Sequence, residues 1–549
     1  MLDILIRHGW LADGTGNPTY PADVAIAGER IVDVGPLEGA QAKRVIDATG
    51  KIVAPGFIDV HSHTDWSIHA NPLAQSTIRQ GVTTEIVGNC GNGNAPVSGD
   101  PNHPSRAEIE GRLRQYSQDG SVGAVTWRTF SEYLQAIADM GMSCNLAWLV
   151  GHNTVRQAVG VRGAGPIGAG HFQKCPAPED PLRAMEALVH EAMEAGALGL
   201  STGLEFEPGR TAPVEEVLRL AAVAGEYGGC YVSHIRNRDA YLQEAVAEFL
   251  DIVRRSGTRG EISHLNVRYG TAPEGAWQRA VDTMVKARQE GLDVMADSTP
   301  FNEGIGQLAA ILPPWIKAEG PARAAELLRD PDVRARLRTD CDRYWRFIHR
   351  GEWDRVRMTK SALFPELAGK SFPEIAALWG KDEWECCFDI LAAHGEEMDS
   401  LFVLGRLKTD ELLAAMCSHP LFNLGVDGFS SSVEPSFSIP CAHPIHFAGM
   451  IHYLTHHVRA KGSLRLEDAI RKMTSMPATH FGLRDRGLLR KGCYADVVVF
   501  DYERLEDVST VENPVAYARG VEAVLVNGAL TLDGGEHTGA RAGQNVLRG

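Results

Sequence analysis

A chain of 549 residues with 44% hydrophobic and 23% charged content has the composition of a soluble globular protein and the length for one large domain plus a smaller one. Its formal net charge of −16 excludes the basic face of a nucleic-acid binder, and no apolar run reaches the length of a membrane span. Ten scattered cysteines, without the dense pattern of a disulfide-stapled domain, predict reduced thiols in a cytoplasmic setting.

The N-terminus reads as a strand, lacking the basic start and long apolar core of a signal peptide. Short β-like runs follow at residues 4–6, 24–26, 31–34 and 44–46, broken by turn signals such as Gly14-Thr15-Gly16 and Gly28-Glu29. The far end behaves alike: residues 495–501 form a strand, and residues 521–526 before Asn527-Gly528 open a hairpin. Residues 1–54 and 480–549 therefore predict one small β-sandwich domain built from both termini.

Between them, residues 55–479 alternate strand and helix. Eight apolar runs read as strands, at residues 56–62, 83–89, 143–150, 197–202, 229–235, 260–265, 292–298 and 421–426. A helix opens at Asp180-Pro181, lines one face with Met185, Leu188, Val189, Ala192 and Met193, and stops at Gly196; another runs from Asp239 to Gly257. Eight such units predict an α/β fold, a (β/α)8 TIM barrel, whose strands are buried on both sides and so read as continuous apolar runs. An open doubly wound sheet is the alternative. Residues 300–420, helix-rich and carrying Trp315, Trp345, Trp353, Trp379 and Trp384, predict a lid or pocket wall on the catalytic face.

Barrel enzymes work where their strands end. The first strand ends in His61 and His63, which project to the same side of an extended segment. The second ends in Asn89-Cys90-Gly91, the fifth in Ser233-His234, the sixth in Ser263-His264, and the eighth in Val426-Asp427-Gly428. Taken singly, each has a plain structural reading: a core histidine, a small buried cysteine, an aspartate that makes a turn. Their coincidence on one rim points instead to a site for zinc or a similar divalent ion.

The pattern resembles the amidohydrolase superfamily and, within it, the N-acyl-D-amino-acid deacylase (D-aminoacylase) family. The matching segments are Pro55-Gly56-Phe57-Ile58-Asp59-Val60-His61-Ser62-His63, Gly88-Asn89-Cys90-Gly91, Val150-Gly151-His152-Asn153-Thr154, Gly199-Leu200-Ser201-Thr202-Gly203-Leu204-Glu205 and Lys472-Met473-Thr474-Ser475-Met476-Pro477-Ala478. They cover nearly the whole chain except the insertion. The resemblance implies a tight zinc position at Cys90, His234 and His264, and a second, weaker one at His61, His63 and Asp427, with Glu205 as an additional ligand candidate. The carboxylated lysine that many superfamily members carry on the fourth strand is absent here. The implied chemistry is hydrolysis of a linear amide by metal-activated hydroxide, with Asp427 as general acid and base. His152, after the third strand, is a candidate for binding the carbonyl or oxyanion; the alternative is a structural histidine.

The substrate side departs from the family. Asn266 stands where the family has a lysine, the segment after the seventh strand reads Ala296-Asp297-Ser298-Thr299-Pro300-Phe301, and His443-Pro444-Ile445 replaces His-Pro-Arg. A carboxylate desolvated without a cationic partner binds poorly. Asn266, Arg236 and Ser298 are the candidate substrate contacts, with Arg238 and Arg268 as possible replacements for the lost charge. The departures predict that the small-molecule substrate, an N-acyl amino acid or a related N-acyl amide, need not be an N-acyl-D-amino acid; a neutral or hydrophobic amide fits the tryptophan-rich insertion, with no nucleic-acid or membrane partner and self-assembly left open. Alternative readings are a cyclic-amide hydrolase of the dihydroorotase or hydantoinase kind, a non-catalytic oligomeric scaffold, and a metal-free enzyme with Cys90 as nucleophile.

Overall fold

A computed structural model describes the chain apart from residues 121, 162–174, 206, 318 and 341–345. Each of the eight apolar runs forms a strand, at Phe57–Asp59, Val82–Val87, Asn145–Gly151, Gly199–Gly203, Cys230–His234, Arg259–Ile262, Val294–Ser298 and Phe422–Leu424. They pair in parallel and in chain order from first to eighth. This is the expected barrel.

The first and eighth strands close the barrel at its C-terminal rim. Ser62 and Gly428 form a parallel bridge. The Asp427 N–H donates to the His61 carbonyl at 2.7 Å, and the His63 N–H donates to the Gly428 carbonyl at 2.7 Å. Below them Asp59 Oδ1 accepts from the N–H groups of His61 (3.0 Å) and Val426 (2.9 Å). Burial, then the neighbouring Glu85, push the Asp59 carboxyl well above the ordinary range. Close approach is possible because residue 425 is glycine: a Cβ there would meet His61 Cβ at 2.6 Å and Asp297 Oδ1 at 2.7 Å.

Alternating strand residues serve two cores. Ile58, Ile86, Leu149 and Val232 pack together, with Ala478 and Phe481 of helix Ser475–Phe481 in the same cluster. Val87, Val150, Leu200, Tyr231 and Ile262 face the other way, toward the apolar stripes of the surrounding helices. Helix Glu179–Glu194 buries Leu182, Met185, Val189, Ala192 and Met193, with Pro178 rather than Asp180 at its N-cap. Helix Leu242–Ser256 ends where Gly257 turns left-handed at φ 71°.

Both chain ends enter one nine-stranded sheet. Leu2–Leu11 pairs with Tyr20–Ala27, Ala42–Asp47 and Ile52–Pro55, and Val497–Phe500 joins Ile52–Pro55 to the hairpin Val521–Val526 and Ala529–Asp533. This sheet has its own core, including Ile6, Val24, Ile26, Val497 and Leu525. The last residues return to the barrel, where Asn545–Val546 pairs with the third strand.

The insertion also has a separate core. Glu303–Gln307, Val356–Met358 and Phe402–Arg406 form an antiparallel sheet, and Glu303 pairs with Arg406, so the insertion leaves and rejoins the barrel on a two-stranded stem. Phe347, Trp353, Phe372 and Phe388 are buried in this core, and Trp315, Trp379 and Trp384 pack against it. The tryptophans anticipated as a pocket wall are thus used to hold the insertion together; Trp345 lies outside the described residues. Among the described residues, no helix is long and apolar enough to cross a membrane.

The closing seam is testable. Asp59→Ala leaves two buried N–H groups unmatched, at about 1–3 kcal/mol each, whereas Asp59→Asn keeps an acceptor oxygen. Urea unfolding should show a loss of several kcal/mol in the first variant and about 1 kcal/mol or less in the second. Equal losses would show that this acceptor does not hold the seam.

Candidate metal centre and substrate pocket

The rim gathers the predicted ligands from separate strands. Cys90 Sγ lies 3.4 Å from His61 Nε2, 3.6 Å from His234 Nδ1 and 3.2 Å from His264 Nε2. Asp427 Oδ1 is 3.5 Å from His61 Nε2 and 3.4 Å from His63 Nε2, and its Oδ2 is 4.0 Å from His264 Nε2. Ligand atoms from His61, Cys90, His264 and Asp427 all lie within 4.8 Å of one another. His63 stacks on Trp66, with ring centroids 4.3 Å apart.

This donor set fits a zinc-class ion, since it combines a thiolate, imidazoles and a carboxylate. Burial would raise the Cys90 thiol, but the imidazoles of His264 and His61 and hydrogen bonding with His234 and His264 bring it well below the usual thiol range. Asp427 is likewise held below the carboxylate range: against burial stand the His264 charge, a hydrogen bond from His63 and the His61 charge. Backbone strain marks the same residues. Cys90, His264 and Asp427 adopt positive φ of 54°, 31° and 54°, conformations that non-glycine residues hold only where their surroundings compel them.

Behind the ligands stand groups that orient them. Glu205 accepts from His234 Nε2 at 2.8 Å, and also from Arg238 and Arg268 at 2.9 Å each. It therefore lies on the far side of His234, as an orienting carboxylate. Asp297 Oδ1 accepts from the His264 N–H at 2.8 Å, and its Oδ2 sits 3.4 Å from His61 Nδ1. One buried aspartate thus touches two candidate ligands, a role that its place within the seventh strand did not announce.

Several sequence candidates turn elsewhere. Arg236 does not face the pocket: its guanidinium pairs with Glu248 at 2.7 Å and donates to the carbonyls of Arg210 and Ala212. Arg238 and Arg268, offered as replacements for the missing charge, both turn to Glu205, and Arg268 also lies 3.5 Å from Asp239. Ser298 Oγ points toward Cys417, 3.9 Å away. His152 commits Nε2 to Glu216 Oε1 at 2.9 Å, within a buried network that includes Arg156; its Nδ1 is buried without a hydrogen-bond partner.

Asn266 leads to a residue that the sequence reading missed. Its Oδ1 accepts from Lys408 Nζ at 3.2 Å, and Lys408 Nζ also donates to Thr299 Oγ1 at 2.6 Å. Lys408 arrives from the exit of the insertion, 142 residues beyond Asn266. It is buried, its hydrogen bonds run to neutral oxygens, and burial pushes its ammonium down to about 8. Lys408 thus places an ammonium beside Asn266, the position at which the family has a lysine. A signal existed in the sequence: a lone lysine between the apolar run at 402–405 and Thr409, which caps helix Asp410–Ser418.

The model of the amidohydrolase family matches residues 44–259 and 370–532. An N-acyl-D-glutamate deacylase of Alcaligenes xylosoxydans xylosoxydans is 32% identical over 533 residues, spanning 96% of this chain and 93% of that protein. A D-aminoacylase of the same organism is 30% identical over 547 residues, spanning 100% and 98%. The crystal structure of N-acyl-D-glutamate deacylase from Bordetella bronchiseptica, complexed with zinc and a phosphonate mimic of the tetrahedral intermediate, matches with a TM-score of 0.78 at 30% identity, covering 100% of this chain and 99% of that one. An L-hydantoinase from Arthrobacter aurescens, at 16% identity and a TM-score of 0.53, shares the fold.

The carboxylate behind His234 gives a direct test. Glu205→Gln should weaken zinc binding by about 10–100-fold, the usual cost of removing a carboxylate behind a metal-bound histidine. Competition with a chromophoric chelator measures it; unchanged affinity would remove His234 from the ligand set.

Proposed function

Because the chain belongs to the amidohydrolase family, in its N-acyl-D-amino-acid deacylase branch, we propose that it hydrolyses the amide of an N-acyl-D-amino acid and that Lys408 receives the substrate carboxylate. The observation that carries this reading is the buried Lys408 ammonium, hydrogen-bonded to neutral oxygens at the sixth- and seventh-strand ends. A buried cation is costly unless an anion completes it. The expectation of a neutral amide rested on the loss of both a lysine, at Asn266, and an arginine, at Ile445, on the changed segment 296–301 and on the tryptophan-rich insertion; Lys408 places a cation beside the first of these positions. The relatives' names support an amino-acid substrate and the D configuration.

A zinc ion held by Cys90, His234 and His264, with His61, His63 and Asp427 around a weaker second position, would supply an acidified water near pH 7 and a Lewis acid for the amide carbonyl. Asp427, kept ionised by the surrounding imidazoles, accepts the proton of the attacking water. It then passes that proton to the leaving nitrogen, so that amide and water become a carboxylic acid and a free amine. Asp297 and Glu205 keep the histidine rings in register throughout, and Lys408 fixes the carboxylate end so that the carbonyl carbon is presented to the rim.

Lys408→Met should lower kcat/KM for N-acetyl-D-amino acids by about 10–150-fold, the worth of a charge-assisted hydrogen bond, with most of the loss in KM. It should leave N-acyl amides without a carboxylate little changed. The ammonium form binds the anion, so its contribution is present below pH 8 and is lost as pH rises through about 8. The wild-type kcat/KM should fall above that pH, and the fall should vanish in Lys408→Met. Equal effects on carboxylate and neutral substrates would refute the assignment.

Chelation tests the metal. Activity should disappear with a strong chelator and return with Zn2+, whereas an enzyme using Cys90 as a nucleophile without metal would keep working.

A further inference from the structure

A second cluster of imidazoles lies away from the rim. Helix Ile445–His452 widens into the π-helical turn Tyr453–Ala460, and the change of pitch brings His452, His456 and His457 together. Their ring centroids are 4.8, 5.7 and 5.0 Å apart in the pairs 452–456, 452–457 and 456–457. One nitrogen from each lies within 4.8 Å of the other two. π-Helical turns of this kind are found frequently at functional sites.

Neighbouring groups decide which nitrogen each ring can offer. His452 Nδ1 lies 2.5 Å from Asp507 Oδ2, and Asp507 Oδ1 accepts from Thr455 Oγ1 at 2.8 Å. A carboxylate only accepts, so His452 carries its proton on Nδ1 and presents the Nε2 lone pair. His457 Nε2 lies 2.9 Å from the Pro300 carbonyl oxygen. A carbonyl also only accepts, so the Nδ1 of His457 carries the lone pair. That atom is buried without a hydrogen-bond partner, in a residue 2% exposed. His456 is half-buried and stacks on His452 with an interplanar angle of 12°.

We propose that His452, His456 and His457 bind a zinc-class divalent ion, which would fix the His457 ring whose other nitrogen holds the loop after the seventh strand through the Pro300 carbonyl. Three imidazoles suit zinc, nickel or copper rather than magnesium or calcium. The Asp507–His452 pair has the form of the carboxylate–histidine couples that back metal ligands. A purely structural role explains the Asp507 contact but not the unmatched Nδ1 of His457, since buried polar atoms ordinarily find a partner. The loop involved is consequential. Phe301 stacks on the other face of His452 at 4.1 Å, Pro300 receives His457, and Thr299 holds Lys408. An ion here would steady the wall that positions that lysine.

Equilibrium dialysis of the full-length, chelator-stripped protein against Zn2+, followed by metal analysis, tests the site independently of activity. Wild type should bind about one equivalent more than the double variant His456→Ala/His457→Gln. The Cys90→Ser variant should keep that equivalent. In Co2+-loaded protein, the cluster should give visible absorption without a thiolate charge-transfer band, and this absorption should be lost in the double variant alone. Asp507→Asn should weaken the same equivalent about 10–100-fold. If the double variant misfolds by near-UV circular dichroism, His456→Gln at the half-exposed position replaces it. Unchanged stoichiometry and Co2+ spectrum in a folded variant would overturn the proposal.

Discussion

The joint between the first and eighth strands is the constraint on which the candidate site depends. His61 and His63 would lie on one edge of an open parallel sheet and Asp427 on the other. Two backbone hydrogen bonds, from Asp427 to His61 and from His63 to Gly428, bring those edges together at the candidate ligands. The Asp59 carboxyl braces the joint from below, and the absence of a side chain at Gly425 lets the strands approach. Closure of the barrel and assembly of the donor set are therefore one event.

Charge is distributed around this joint in two ways. Near the rim it is balanced within the protein: Glu205 satisfies His234, Arg238 and Arg268 together, and Asp297 faces His61. Those pairings orient His234 and His61 and hold the two arginines against Glu205. Lys408 is different, because its hydrogen bonds leave its charge uncompensated by a carboxylate. On the proposed function, Lys408 is the charge left for an arriving anion near the ends of the sixth and seventh strands.

What the sequence made legible follows the range of the interactions involved. The barrel strands were readable because burial on both faces writes itself as a local apolar run, and the candidate ligands because they sit where those runs stop. Asp297 was obscure because it belongs to a strand interior and acts through two residues on other strands. Arg236 looked available, yet a glutamate twelve positions later takes its guanidinium. Lys408 was hidden because its partner lies more than a hundred residues away, on the far side of an insertion whose path the sequence does not trace. The tryptophans misled for a related reason: aromatic density reports a core, without saying whose.

The insertion's two-stranded stem has an evolutionary consequence. Glu303 and Arg406 are paired across the entry and exit, and the described residues between them include a separate apolar core. Such a piece behaves as a cassette, replaceable or reshaped without disturbing the catalytic chassis. Lys408 stands just past its exit, so a change in the cassette's seating would move the residue proposed to receive the substrate carboxylate while the rim stays as it was. On the proposed function, reshaping this module would alter what is consumed and leave the rim that cleaves it in place.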